Sequence, residues 1–110
     1  MNVNTIEIEE GNGNVYADLG LPDAGELLIK ARLAVRIGEL MKTRRLTQQA
    51  AADVLGISQP KLSGLLRGQF RGISEAKMLE CLNRLGQDVQ IVVRKAPRSH
   101  SVGQTTVTFA

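Results

Sequence analysis

Hydrophobic and polar positions change period twice along this chain. Ile6-Glu7-Ile8-Glu9 alternates with period two and predicts a short N-terminal strand, which Gly11-Asn12-Gly13-Asn14 then breaks. No third glycine and no Lys-Ser/Thr pair follows that run, so it reads as a turn rather than a phosphate-binding loop. From Pro22 to Gly86 the pattern is helical. Asp23 with Glu26 three residues on has the form of a capping box, and Leu27, Ala31, Ala34, Ile37, Gly38 and Met41 then recur at three- and four-residue spacing. Arg32, Arg36, Glu39 and Lys42 fall largely on the other side. Periodicity admits either one helix over residues 23–44 or two short ones meeting near Lys30.

Three further helices carry their own start and stop signals. Thr47 is a good N-cap for residues 48–55, and Gly56 offers the left-handed conformation of a tight exit. Ser58 caps residues 59–67, with Pro60 in the first turn, where a missing amide costs little, and Gly68 at the end. Ser74 caps residues 75–85, with Met78, Cys81, Leu82 and Leu85 on one stripe and Gly86 as the stop. The period then falls to two or less, and Val89, Ile91, Val92 and Val93 predict a β-strand ended by Pro97. A lone strand leaves its backbone unpaired, so it needs the Ile6 segment or a second copy of itself. Residues 98–110 read as a tail, in which Thr106-Val107-Thr108-Phe109 is a candidate strand.

At 110 residues there is room for one core, and the expected division is a leader over 1–21, a folded domain over 22–96 and a tail over 97–110. Charge divides the chain more sharply. Residues 1–29 hold six acids and no base, a net of −6, whereas all fourteen Lys and Arg lie within residues 30–98 against five acids, a net of +9. A cationic domain behind an acidic leader points to a polyanion, nucleic acid first. Met1-Asn2-Val3-Asn4-Thr5 has neither the basic start nor the apolar run of a secretory signal, and no window approaches a membrane span, so the expected compartment is the cytoplasm. One cysteine, Cys81, and one histidine, His100, cannot build an internal disulfide or a Cys/His zinc site. Cys81 reads as a small buried hydrophobe, and Glu7 with Glu9 occupies no closed cleft. No enzyme and no cofactor is expected. Tyr16, Phe70 and Phe109 are too scattered to form a base-stacking platform, which turns the reading from RNA to duplex DNA.

The two short helices joined by Gly56-Ile57-Ser58 meet the requirements of a helix-turn-helix. Ala52 is small where the helices cross, Gly56 makes the turn, and Ala51, Leu55, Ile57, Leu62 and Leu65 supply buried positions on both sides. Removing Leu62, Leu65 and Leu66 from the second helix leaves Ser58, Gln59, Pro60, Lys61, Ser63, Gly64 and Arg67 for solvent, a face with no acid and no large apolar group. Such a face enters a groove about 12 Å wide, where Gln pairs with an adenine edge and Lys or Arg with guanine or phosphate. A protein partner would more often meet an aromatic anchor.

The stretch from Thr47 to Gly68 resembles the helix-turn-helix of the phage-repressor and Cro-like (XRE) superfamily. More narrowly, Val15-Tyr16-Ala17-Asp18-Leu19-Gly20-Leu21-Pro22, Gln69-Phe70-Arg71-Gly72 and Leu85-Gly86-Gln87-Asp88-Val89 are similar to HigA-like antitoxins. The resemblance implies a mainly α fold, a lambda-repressor-like helical bundle, here with a short C-terminal strand and a candidate N-terminal one. It also implies a prokaryotic homodimer on a palindromic double-stranded operator, repressing its own operon and neutralising a RelE-like toxin; the alternative is a stand-alone XRE-family repressor with no toxin. Base-reading positions of the superfamily fall on Gln59, Pro60, Lys61, Ser63 and Gly64, and Gln48 would contact phosphate and brace Gln59. Pro60 departs from the phage proteins, where a side-chain donor often stands. Ser58, Arg67 and Arg71 are the further phosphate candidates, and Arg44 and Arg45 are either outer phosphate contacts or a solvated helix end favoured by the dipole.

Overall fold

The computed structural model describes residues 17, 19–21, 23–99 and 101–110. The expected strand at Ile6, the glycine-asparagine run, Tyr16 and His100 lie outside the described residues. Four α-helices follow in order among them: α1 (Ala24–Thr43), α2 (Gln48–Leu55), α3 (Gln59–Leu66) and α4 (Glu75–Arg84). α1 is continuous through Lys30. It packs against α4 and α3, while α2 packs against α3 and α4, so the long helix backs α3 and α4 and α2 rests on those two in turn. Leu33, Ile37, Leu55, Leu62, Leu65, Met78 and Leu85 are fully buried between them. Ala51 and Ala52 are buried at the α2–α3 crossing, and Gly38 lets Leu66 of α3 come within 3.4 Å of where a Cβ would stand on α1.

Three local expectations hold for one reason: each cap is chemistry within four residues. Thr47 Oγ1 accepts the Ala50 N–H at 3.1 Å, Ser58 Oγ that of Lys61 at 3.3 Å, and Ser74 Oγ that of Lys77 at 3.0 Å. Each satisfies an amide that the helix itself cannot.

Elsewhere the structure corrects the pattern. Asp23 stands at the N-cap of α1 but makes no side-chain cap bond; its carboxylate pairs with Arg71 instead, because a full positive charge attracts it more strongly than a neutral amide. Arg32 is buried, not on the solvent side, and so is Lys30. Lys30 Nζ reaches the Arg71 carbonyl at 3.3 Å and Glu26 at 3.5 Å. The Phe109 ring lies over the guanidinium groups of Arg32 and Arg36, 5.6 and 5.5 Å from its centroid, while Val107 packs against the core. The tail is thereby clasped to α1. No β-strand forms among the described residues: residues 89–93 and 106–109 have no partner strand there, and extended backbone becomes a strand only when paired.

Candidate nucleic-acid interface

Gly56 closes α2 with φ +69°, and both its own N–H and that of Ile57 return to the Ala52 carbonyl, at 2.9 and 3.2 Å. This sharp exit sets the angle at which α3 leaves. Arg84 of α4 braces the turn from outside: Nη1 donates to the Val54 carbonyl at 3.2 Å, while Nε holds Glu80 at 3.0 Å. Leu62 and Leu65 turn inward, with no exposed surface, which fixes the rotation of α3 and pushes its opposite face out. Ser58, Gln59, Pro60 and Lys61 are all exposed on that face. With its oxygen engaged by the Lys61 amide, the Ser58 hydroxyl still has a proton to donate.

The C-terminal half of α3 is tied back on itself. Arg67 Nη1 donates to Ser63 Oγ at 2.6 Å and Nη2 to Gln69 Oε1 at 3.4 Å, leaving Arg67 exposed but oriented and Ser63 half-buried. Gly64, expected at the surface, is buried. The chain reverses at Gly68, whose φ is +87°, and lays Gln69 over Gly64, with the Gln69 N–H on the Gly64 carbonyl at 2.8 Å. A Cβ at 64 would lie 3.5 Å from the Gln69 carbonyl oxygen and Oε1, in ordinary contact with that residue.

The other expected residues lie outside α3. Gln48 opens α2 and is exposed, but no hydrogen bond joins it to Gln59. Arg44 and Arg45 are exposed at the exit of α1, where the Arg45 N–H bonds the Lys42 carbonyl and that of Leu46 the Met41 carbonyl. Arg45 itself is left-handed, φ +56°, an unusual conformation for a side-chain-bearing residue. Arg71 is exposed, and its guanidinium is held by Asp23 across the loop that follows α3. Gln69 and Arg84 were not expected here. The glycine at 68 is the one sequence signal that the chain turns back beside α3; nothing local marks Arg84, whose reach to Val54 spans thirty residues.

Cys81 is buried, and burial pushes its thiol above its ordinary range, away from the thiolate that nucleophilic chemistry needs. Among the described residues no three His, Cys, Asp or Glu side chains cluster as a metal site, and no helix is long and apolar enough to cross a membrane.

A capped helix held outward across a tight turn, with amide, hydroxyl and cationic groups at its exposed N-terminal end, defines a helix-turn-helix DNA-binding protein. A family model described as a helix-turn-helix domain matches residues 15–94. The chain is also similar to a solved structure titled as an XRE-family transcriptional regulator, with 44% identity over 81% of this chain and 100% of that one, at a TM-score of 0.75. No curated protein matches the sequence. The chain belongs to the XRE-like helix-turn-helix family and is a DNA-binding transcriptional regulator, not an enzyme.

Proposed function

We propose that this regulator is a homodimeric repressor that reads a palindromic operator with α3. Gln59, Lys61 and Ser63 face base edges; Gln48, Ser58, Arg67 and Arg71, with Arg44 and Arg45 further out, hold phosphates; Pro60 packs against the groove wall. Gly64, buried beside Gln69, would come within reach of a base only through its backbone. The observation that carries this reading is the exposed N-terminal turn of α3, residues 58–61, held out by Leu62 and Leu65 on the buried face. One recognition helix reads only a few base pairs, so selectivity requires two, with half-sites about 34–36 Å apart or a multiple of that.

Gel shifts over a salt series test it. Affinity for the protein's own promoter should exceed that for random duplex and fall steeply with salt. Gln59→Ala should relax base preference by about 1–3 kcal/mol of discrimination, whereas Arg67→Ala should weaken every sequence alike. Equal affinity for promoter and random DNA removes the repressor reading.

The antitoxin function is a second reading, supported by the six acids and absent bases of residues 1–29. A RelE-like nuclease is basic where it holds RNA, and residues 1–21 would cover that surface by opposite charge. Co-expression with the adjacent open reading frame decides it. A small basic toxin neutralised by the full chain, but not by one lacking residues 1–20, supports the role; the absence of such a neighbour leaves a stand-alone regulator.

A further inference from the structure

Between the end of α4 and the clasped tail runs an extended, apolar and exposed stretch of chain. It is fixed at both ends. The Gln87 N–H bonds the Leu82 carbonyl at 3.0 Å, and Asn83 Nδ2 holds the Gln87 carbonyl at 2.9 Å; beyond it, Ala96 is half-buried and sits 3.9 Å from where a Cβ on Gly103 would stand. Between those points no backbone hydrogen bond is made by residues 88–95 among the described residues. Ile91, Val92 and Val93 are 76%, 69% and 91% exposed. Unpaired, β-branched and apolar, this is a strand template that a protein either covers or aggregates through.

Its sequence is its own complement. In an antiparallel pair with a two-fold axis at Ile91, Ile91 meets Ile91 and Val89 meets Val93, both on one face, while Asp88 meets Arg94 on the other. Each ion pair occurs twice by symmetry. Moving the axis one residue to Gln90 sets Asp88 against Val92, and moving it to Val92 sets Arg94 against Gln90, so both alternatives lose the charge match. Val107 and Phe109 meanwhile hold the tail on α1, and the segment stays open to a second chain.

We propose that residues 88–94 form a two-stranded antiparallel ribbon with the same residues of a second copy, in the register centred on Ile91. This rests on the dimeric repressor reading and specifies how its two recognition helices are joined.

Cysteine scanning of the full-length protein tests the register. Under mild oxidation Ile91→Cys should cross-link to itself, while Gln90→Cys and Val92→Cys should do so poorly alone and readily when mixed; wild type, with Cys81 buried, should not cross-link. Sedimentation tests the charges. Asp88→Arg should weaken dimerisation about tenfold, since two cross-strand pairs become repulsive, and Asp88→Arg with Arg94→Asp should restore it. Circular dichroism on each variant confirms that the helices remain. A wild-type monomer at 100 μM-scale concentration (roughly, the range in which weak dimers form) overturns the proposal, and so does a monomer whose amides at 89–93 resist hydrogen exchange, because its own chain then covers the segment. A dimer in which Ile91→Cys fails to cross-link, or in which the double charge reversal fails to rescue, overturns it equally. A cross-linked Ile91→Cys dimer that ignores operator DNA leaves the ribbon standing and removes the repressor reading.

Discussion

Replacing Gly56 with Ala tests whether the turn between α2 and α3 is set by backbone conformation, by the Arg84 brace, or by both. At φ +69° an Ala side chain costs about 1–2 kcal/mol relative to glycine. The new Cβ would also stand 3.0 Å from Arg84 Nη1 and 3.3 Å from its Cζ, so the guanidinium must give by a few tenths of an ångström, which strains its 3.2 Å bond to the Val54 carbonyl. That bond contributes about 0.5–1.5 kcal/mol. Together, the backbone part and up to the whole of that bond predict a loss of about 1–3.5 kcal/mol, read as a lower urea midpoint at unchanged slope by circular dichroism. Gly56→Asn separates them, because Asn tolerates the left-handed region yet still displaces Arg84, and its loss should be the smaller. In an Arg84→Ala background the Val54 bond is already gone. Gly56→Ala should then cost only its conformational part, making the pair subadditive by about 1 kcal/mol. Additive losses would refute the brace, and a Gly56→Ala protein as stable as wild type would refute the requirement for glycine.

Arg45→Gly should raise stability by about 0.5–1 kcal/mol, since relief of the left-handed conformation outweighs the added freedom of the unfolded chain. If Arg45 holds a phosphate, the same variant lowers the salt slope of operator binding by about one; a stability gain with an unchanged slope assigns Arg45 to the solvated helix end. The hydrogen bond from Lys77, then its charge and that of Arg84, hold the Glu80 carboxyl below its ordinary value of 4.5. A depressed folded value means the contribution is complete above that ordinary value and is lost as pH falls through it toward the folded one. Glu80→Gln should therefore lose less stability than wild type between pH 6 and pH 3, a window spanning about a unit and a half either side of the ordinary value, and parallel curves would exclude Glu80 as an acid-sensitive group.

What could be read from the sequence was whatever depends on near neighbours. Thr47, Ser58 and Ser74 cap because the amide each one meets is three residues away, and Ala51, Leu55, Leu62 and Leu65 are buried where their spacing put them. The misreadings all turn on partners distant along the chain. Asp23 has the spacing of a capping box, but Arg71, forty-eight residues on, claims its carboxylate. Arg32 lies off the apolar stripe yet is buried, with the ring of Phe109 stacked over its charged end. Gly64 seemed a surface position until the reversal at Gly68 covered it. The strand expected over residues 89–93 is a different case: its expected partners, the Ile6 segment and a second copy, are not among the described residues.

The division of labour within α3 has an evolutionary consequence. Leu62 and Leu65 anchor the helix, and Ser63, Arg67 and Gln69 lock its far end, so almost none of its folding energy passes through Gln59 and Lys61. Those two positions are free to drift. If Gln59 and Lys61 read bases in the repressor proposed above, a lineage could exchange one target sequence for another by altering them alone, without first acquiring compensating changes in the scaffold, and duplicated copies could part company quickly enough to avoid silencing each other's genes.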